Sequence, residues 1–160
     1  MKNLFLMRHA KSCWTENVAD EFRTITTKGQ TKTQKVAHYL QENHALRFDQ
    51  IFCSSAIRAQ ETSKIVQPIL FPNQPITLTE ELYTFSSFTL DQWIRKIDNQ
   101  WDNVLLFGHN PAFTELANQL GNKAFYNLST SGFVWIQFNS TNWKNIQKGQ
   151  TIEIILPKEI

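Results

Sequence analysis

Residues 4–12 read Leu4-Phe5-Leu6-Met7-Arg8-His9-Ala10-Lys11-Ser12, and the fold turns on how that stretch is understood. Four apolar residues in a row, with no polar residue between them, suit a short strand buried on both faces. The run then stops at a guanidinium, an imidazole and an ammonium, those of Arg8, His9 and Lys11. Cations are a poor end for a buried strand unless an anion sits there. Arg meets phosphate oxygens in a two-pronged geometry that Lys cannot copy, so such an anion is the expectation. A strand that surfaces in a few solvated charges is the plainer alternative. The rest of the chain argues against it.

Working outward, the same arrangement recurs twice. Residues 48–53 form a second short apolar segment that ends at Ser54-Ser55 and runs into a helical pattern with Ile65, Val66 and Ile69. Pro68 limits that helix near its C-terminal end. Arg58 stands in its first turn, where the positive end of the helix dipole makes a cation misplaced unless an anion is held there. Residues 103–107 supply a third buried strand, which ends in Gly108-His109-Asn110-Pro111. Pro111 suits the first turn of the next helix, whose inward face is Phe113, Leu116, Ala117 and Leu120, and Gly121 ends it.

Between these landmarks, residues 14–23 are polar and without periodicity. Thr26 or Thr27 caps a helix that carries Gly29 in its first turn and Thr33, Val36, Ala37 and Leu40 on one face. Lys28, Lys32 and Lys35 lie off that stripe as a solvated face, and His38 and His44 are surface histidines. Residues 85–97 form a helix with Leu90, Trp93, Ile94 and Ile97 on one side. Residues 132–138 and 151–156 read as strands joined by a polar connection at 143–149, and Thr130-Ser131 approach the pocket.

At 160 residues the chain supports one well-buried core, so residues 1–160 are read as a single domain. The 41% hydrophobic and 19% charged fractions are those of a soluble globular protein. A net charge of only +2 gives no reason to expect nucleic acid as a partner. No apolar segment approaches membrane-spanning length, and the opening run is too short for a signal peptide. Cys13 and Cys53 make neither a disulfide framework nor a zinc site. Free thiols and a cytoplasmic location are therefore expected.

Strands alternating with helices predict an α/β sheet with parallel strands, and in such sheets the ligand crevice lies outside the carboxyl ends. That gathers Arg8, His9, Arg58 and His109 at one place. A metal held by His9 and His109 is disfavoured, because two guanidiniums would repel a divalent cation and no carboxylate motif accompanies the histidines.

Arg8-His9-Ala10-Lys11-Ser12, directly after an apolar strand, resembles the Arg-His-Gly signature of the histidine phosphatase superfamily. The Ala-Lys-Ser continuation points to its small SixA-like phosphohistidine phosphatase branch. Ser54-Ser55 followed by Arg58-Ala59 and Thr62 resembles the family's second mark, and Gly108-His109 its third, in order across residues 7–110. Ala10 departs from the usual Gly of the wider superfamily. The resemblance implies a phosphoglycerate mutase-like three-layer α/β/α sandwich around a mostly parallel sheet, working without metal or other cofactor. It implies phosphoryl transfer through a phosphohistidine on His9, with Arg8, Arg58 and His109 also catalytic and Arg23, Ser12 and Asn110 binding substrate. Neighbouring cations would keep His9 neutral and so nucleophilic. The general acid is not marked by any motif, and Glu80 and Glu81 are the candidates. The substrate implied is phosphohistidine in a protein, with inorganic phosphate released. A small phosphate ester, or a phosphate- or phosphoprotein-binding module without turnover, is the alternative.

Overall fold

In the computed structural model, which describes residues 1–160, the opening apolar run becomes β1 (Lys2–Arg8), an inner strand of a six-stranded sheet. The chain continues through α1 (Thr27–Asn43), β2 (Gln50–Ser54), α2 (Ile57–Leu70), β3 (Thr77–Thr79) and α3 (Ser87–Ile94). It then adds β4 (Asn103–Gly108), α4 (Ala112–Leu120), β5 (Phe133–Phe138) and β6 (Gln150–Ile155). The sheet order is β3-β2-β4-β1-β5-β6. Strands β1 to β4 run parallel, and β5 and β6 close one edge antiparallel. The fold is thus α/β with a mostly parallel sheet, as expected.

Two hydrophobic clusters make the layers. Leu4 and Leu6 of β1 face Leu90 and Ile94 of α3 and Leu116 and Ala117 of α4. Phe5 and Met7 face the other way, onto Val36, Ala37 and Leu40 of α1 and Val66 of α2. An unbroken apolar run is what a strand sandwiched between helix layers requires. Burial of each such side chain contributes roughly 1.5–3 kcal/mol.

Register places the chemistry. β1 and β4 pair in parallel with Arg8 opposite Gly108, so His9 and His109 leave the sheet side by side. The His9 N–H donates to the Gly108 carbonyl at 3.1 Å, which fixes the point of departure. Gly108 is required there for space, since a Cβ would meet the buried Phe113 ring at 2.6 Å. Gly29 is required likewise, because its α1 backbone lies against Lys11, whose carbonyl oxygen a Cβ would approach to 2.8 Å. At the opposite end of β1 the Lys2 side chain is fully buried. Its ammonium donates to the carbonyls of Asn99 (2.7 Å) and Trp101 (3.2 Å) and to Asp102 Oδ1 (2.7 Å).

Several local expectations change. The helix expected over residues 85–97 spans only Ser87–Ile94, starting at a Ser86 cap that accepts from the Thr89 N–H at 3.2 Å. Past Ile94 the backbone tightens into turns, with the Lys96 and Ile97 N–H groups on the carbonyls of Trp93 and Ile94 at 3.1 Å, while Arg95 ties Asp91 Oδ2 (2.9 Å) to the Ile146 carbonyl (2.7 Å). The connection at 143–149 is not simply polar, since Trp143 is fully buried with its indole N–H on the Trp101 carbonyl at 2.7 Å. Pro111 sits one residue before α4, as its N-cap. Gly121 ends α4 in extended backbone, φ −90°, and is needed for room against Thr151 rather than for a left-handed turn. His44 is half-buried, 3.1 Å from Glu153 Oε2, whereas His38 is exposed.

Candidate active site

The carboxyl ends of β1, β2 and β4 open onto a cavity of about 260 Å³ whose lining includes Arg8, His9, Ser12, Arg23, Arg58 and Asn110. Arg8, His9, Arg58 and Asn110 are placed by strand ends or helix starts, whereas Ser12 and Arg23 come from the segment between β1 and α1. His9 is the first residue past β1 and is only 7% exposed. Arg58 occupies the first turn of α2 and is 2% exposed, a burial that its position in the dipole would oppose without partners.

The His9 ring has one defined tautomer. Its Nδ1 lies 2.7 Å from the Ala10 carbonyl oxygen, which can only accept, so Nδ1 carries the hydrogen and Nε2 keeps its lone pair. Nε2 faces the guanidinium cluster, with Arg58 Nε donating to it at 3.3 Å. Ala10 is held in turn by Thr62 of α2, whose Oγ1 accepts from the Ala10 N–H at 2.8 Å. Burial first, and then the positive charges of Arg58, Arg8 and Arg23, lower His9 to about 3, although its Ala10 hydrogen bond opposes them. The imidazole is therefore neutral near pH 7 and free to attack.

His109 is brought to the same place but set deeper. It is 1% exposed and covered by the rings of Tyr83 and Phe85, 5.3 and 5.5 Å away. Its ring centre is 5.3 Å from that of His9. Ser54 Oγ is 2.7 Å from its Nε2, and Arg58 Nη2 reaches its Nδ1 at 3.4 Å. Burial, reinforced by His9 and Arg58, lowers it to about 2.

Arg8 hydrogen-bonds the Leu128 carbonyl through Nη1 at 3.0 Å, while its buried Nε has no partner. A buried guanidinium donor beside further cations suits an anionic acceptor. Arg23 is buried, stacks its guanidinium 3.5 Å from the Trp14 ring centre, and donates to Ser12 Oγ. Asn110 lines the cavity but spends its amide locally, donating to Leu128 O and accepting from Thr114. Thr130 also lines the cavity, and Ser131, at φ 64°, donates its N–H to the carbonyls of Arg8 and His9.

Glu80 and Glu81 are not brought in. Both are exposed on a short turn at Glu80–Leu82, and neither lines the cavity. The one carboxylate that does line it is Asp20, from the aperiodic stretch 14–23. It accepts from Arg58 Nη2 at 3.0 Å, from Arg23 Nε at 3.1 Å and Nη2 at 3.0 Å, and from the Tyr83 hydroxyl. Nothing in the sequence separates it from its neighbours Glu16 and Glu21.

Three arginines, a neutral imidazole with an outward lone pair and an orphaned guanidinium N–H make a cradle for a tetrahedral oxyanion. The histidine phosphatase superfamily (branch 1) family model matches residues 4–93. An uncharacterized protein of Mycobacterium tuberculosis is 28% identical over 111 residues, covering 69% of this chain and 67% of that one. A solved structure of the protein histidine phosphatase SixA with tungstate has a TM-score of 0.81 at 20% identity, covering 98% of each chain. A phosphoserine phosphatase of Entamoeba histolytica has a TM-score of 0.70 at 14% identity, again covering 98% of each. At these identities the structural likenesses speak for the fold. No helix is long and apolar enough to cross a membrane. The family match covers more than half of the sequence and holds two of the cavity's strand ends: the chain belongs to the histidine phosphatase superfamily and is a hydrolytic phosphatase.

Proposed function

We propose that the protein removes phosphate from phosphohistidine borne on another protein, by way of a phosphoryl group carried transiently on its own His9. The observation that carries the mechanism is the His9 ring itself, buried, pinned at Nδ1–H by the Ala10 carbonyl and aiming the Nε2 lone pair into the arginine cradle. In the first step Nε2 bonds to phosphorus as the bond to the leaving group breaks. In the second a water oxygen replaces Nε2, giving inorganic phosphate and free His9. Arg8, Arg23 and Arg58 hold the non-bridging oxygens throughout, where charge is greatest. His109 does not line the cavity; from beneath it, with Nε2 on Ser54 Oγ and Nδ1 on Arg58 Nη2, it supports the clamp.

A protein-borne substrate is supported by the mouth of the cavity. Trp14 and Phe85 line it with 76% and 48% of their surface exposed, and Phe22 and Phe88 are exposed nearby in the chain. A small phosphate ester offers little surface to such side chains, whereas a folded partner covers them. The likeness in fold to SixA runs the same way.

The test is to supply a phosphohistidine-bearing protein and p-nitrophenyl phosphate in parallel, with rapid quench and mass spectrometry of His9. Phosphate release with a larger kcat/KM for the protein substrate, and an acid-labile adduct on His9, is the expected result. Folded protein that releases phosphate from neither would sink the proposal. Faster turnover of small esters would reassign the substrate and leave the mechanism standing.

A further inference from the structure

Asp20 is the carboxylate that sequence reasoning did not find, and its bonds are unusual for a merely structural ion pair. Arg58 divides one guanidinium between the nucleophile and this acid. Its Nε donates to His9 Nε2 at 3.3 Å, and its Nη2 donates to Asp20 Oδ2 at 3.0 Å. The two groups differ in depth, with His9 7% exposed and the Asp20 side chain 42% exposed. In-line displacement puts the leaving group opposite the buried His9 Nε2, on the solvent side, and Asp20 is the exposed partner of the Arg58 clamp. No other carboxylate lines the cavity, and Glu80 and Glu81 point into solvent elsewhere.

Building on the phosphoryl-transfer mechanism above, we propose that Asp20 is the general acid and base of the reaction, released from Arg58 by the incoming phosphoryl group. Three elements face its carboxylate: Arg58 from α2, Arg23 from its own turn, and Tyr83 from beyond β3, with His109, His9 and Arg8 behind them. In the free protein desolvation pushes the carboxyl up, but the hydrogen bonds from Tyr83, Arg23 and Arg58 and the Arg58 charge prevail, bringing it to about 2. A bound phosphoryl dianion takes those donors for its own oxygens and sets negative charge beside the carboxylate. Both changes raise its proton affinity, and the proton comes from solvent. As the Nε2–P bond forms and the bond to the leaving nitrogen or oxygen breaks, that atom takes the Asp20 proton and departs neutral. The Asp20 carboxylate then accepts a proton from water while the water oxygen bonds to phosphorus, and the P–Nε2 electron pair returns to His9.

The experiment compares wild type, Asp20→Asn and Glu115→Gln on aryl phosphates ranging from dinitrophenyl to phenyl, with vanadate affinity measured beside turnover. Glu115 lines the adjoining hollow with Arg8 and Asn110 and is the rival carboxylate. Asp20→Asn should lose about 10²–10³-fold on phenyl phosphate, whose leaving group needs a proton, and keep most of its rate on dinitrophenyl phosphate. It should bind vanadate as well as wild type or better, because a competing anion has gone, and should still form the His9 adduct. An equal loss on every substrate with weaker vanadate binding would make Asp20 a positioning residue and overturn the proposal. So would a leaving-group dependence that appears in Glu115→Gln instead. Wild-type protein with no turnover at all would remove the underlying mechanism as well, and is distinguished by that.

Discussion

Lowering the pH from 7.5 to 5 in phosphate-free buffer should destabilise the protein through two buried histidines. His9 and His109 are held at about 3 and about 2, against 6.5 for a free imidazole. Across that interval the unfolded chain binds protons that the native site refuses, so stability rises with pH and is lost as pH falls below 6.5. Integrated to pH 5, each histidine costs about 2 kcal/mol relative to pH 7.5, and the pair about 4 kcal/mol. For a chain of this size that corresponds to a fall in Tm of roughly 8–16 °C. Asp20 and Glu16, whose carboxyls are also lowered, have ordinary values of 3.8 and 4.5 and act mainly at lower pH. Circular dichroism melts of wild type and His9→Asn at several pH values provide the assay. The variant should show about half of the wild-type pH-dependent loss, whatever its stability at pH 7.5. A wild-type Tm that stays flat to pH 5, or an identical slope in the variant, would show that the site does not hold these rings neutral.

Removal of the nucleophile and removal of the clamp should differ. His9→Ala should reduce kcat by about a thousandfold or more while vanadate still binds, whereas Arg58→Ala should weaken both vanadate binding and turnover, because a charge-assisted clamp acts in ground and transition states alike. Near-normal turnover by His9→Ala would end the mechanism. Gly108→Ala drives a methyl group into the buried Phe113 ring and should cost about 1–3 kcal/mol in a denaturant titration, with an unchanged midpoint the contrary result. Iodoacetamide should alkylate native Cys13, whose thiol is lowered by its Thr15 hydrogen bond, and spare Cys53, which burial pushes up to about 12. Mass spectrometry showing Cys53 modified before unfolding would contradict the burial.

The strand ends were readable because each imposes a local contradiction. Arg8 after Met7, Arg58 at a helix start and His109 after Phe107 are polar groups where burial or a dipole disfavours them, and a common anion resolves all three. Helix faces such as Val36-Ala37-Leu40 were readable because period alone sets them. Asp20 was not, since nothing within residues 14–23 repeats, and its partners stand 38 and 63 residues away at Arg58 and Tyr83. Trp143 was hidden for a similar reason: its neighbours Asn142, Lys144 and Asn145 describe a loop, while its burial depends on Trp101 and Lys2. Glu80 and Glu81 show the converse error, in which sequence order suggested proximity that the turn at Glu80–Leu82 does not create.

Lys2 lies at the far end of β1 from the chemistry, yet it bears on where the chemistry happens. A strand that slides by one residue exchanges its faces and is rejected by the core, but a slide of two restores the alternation. Leu4, Phe5, Leu6 and Met7 are apolar on both faces, so hydrophobicity discriminates poorly among such slips. The sealed ammonium discriminates sharply, because any slip lifts it from the Asn99, Trp101 and Asp102 oxygens. Breaking a buried charge from its partners costs about 3–5 kcal/mol. Lys2 therefore acts as an index pin: seated at one end of the strand, it determines that Arg8 meets Gly108 at the other, and hence that the two histidines emerge abreast.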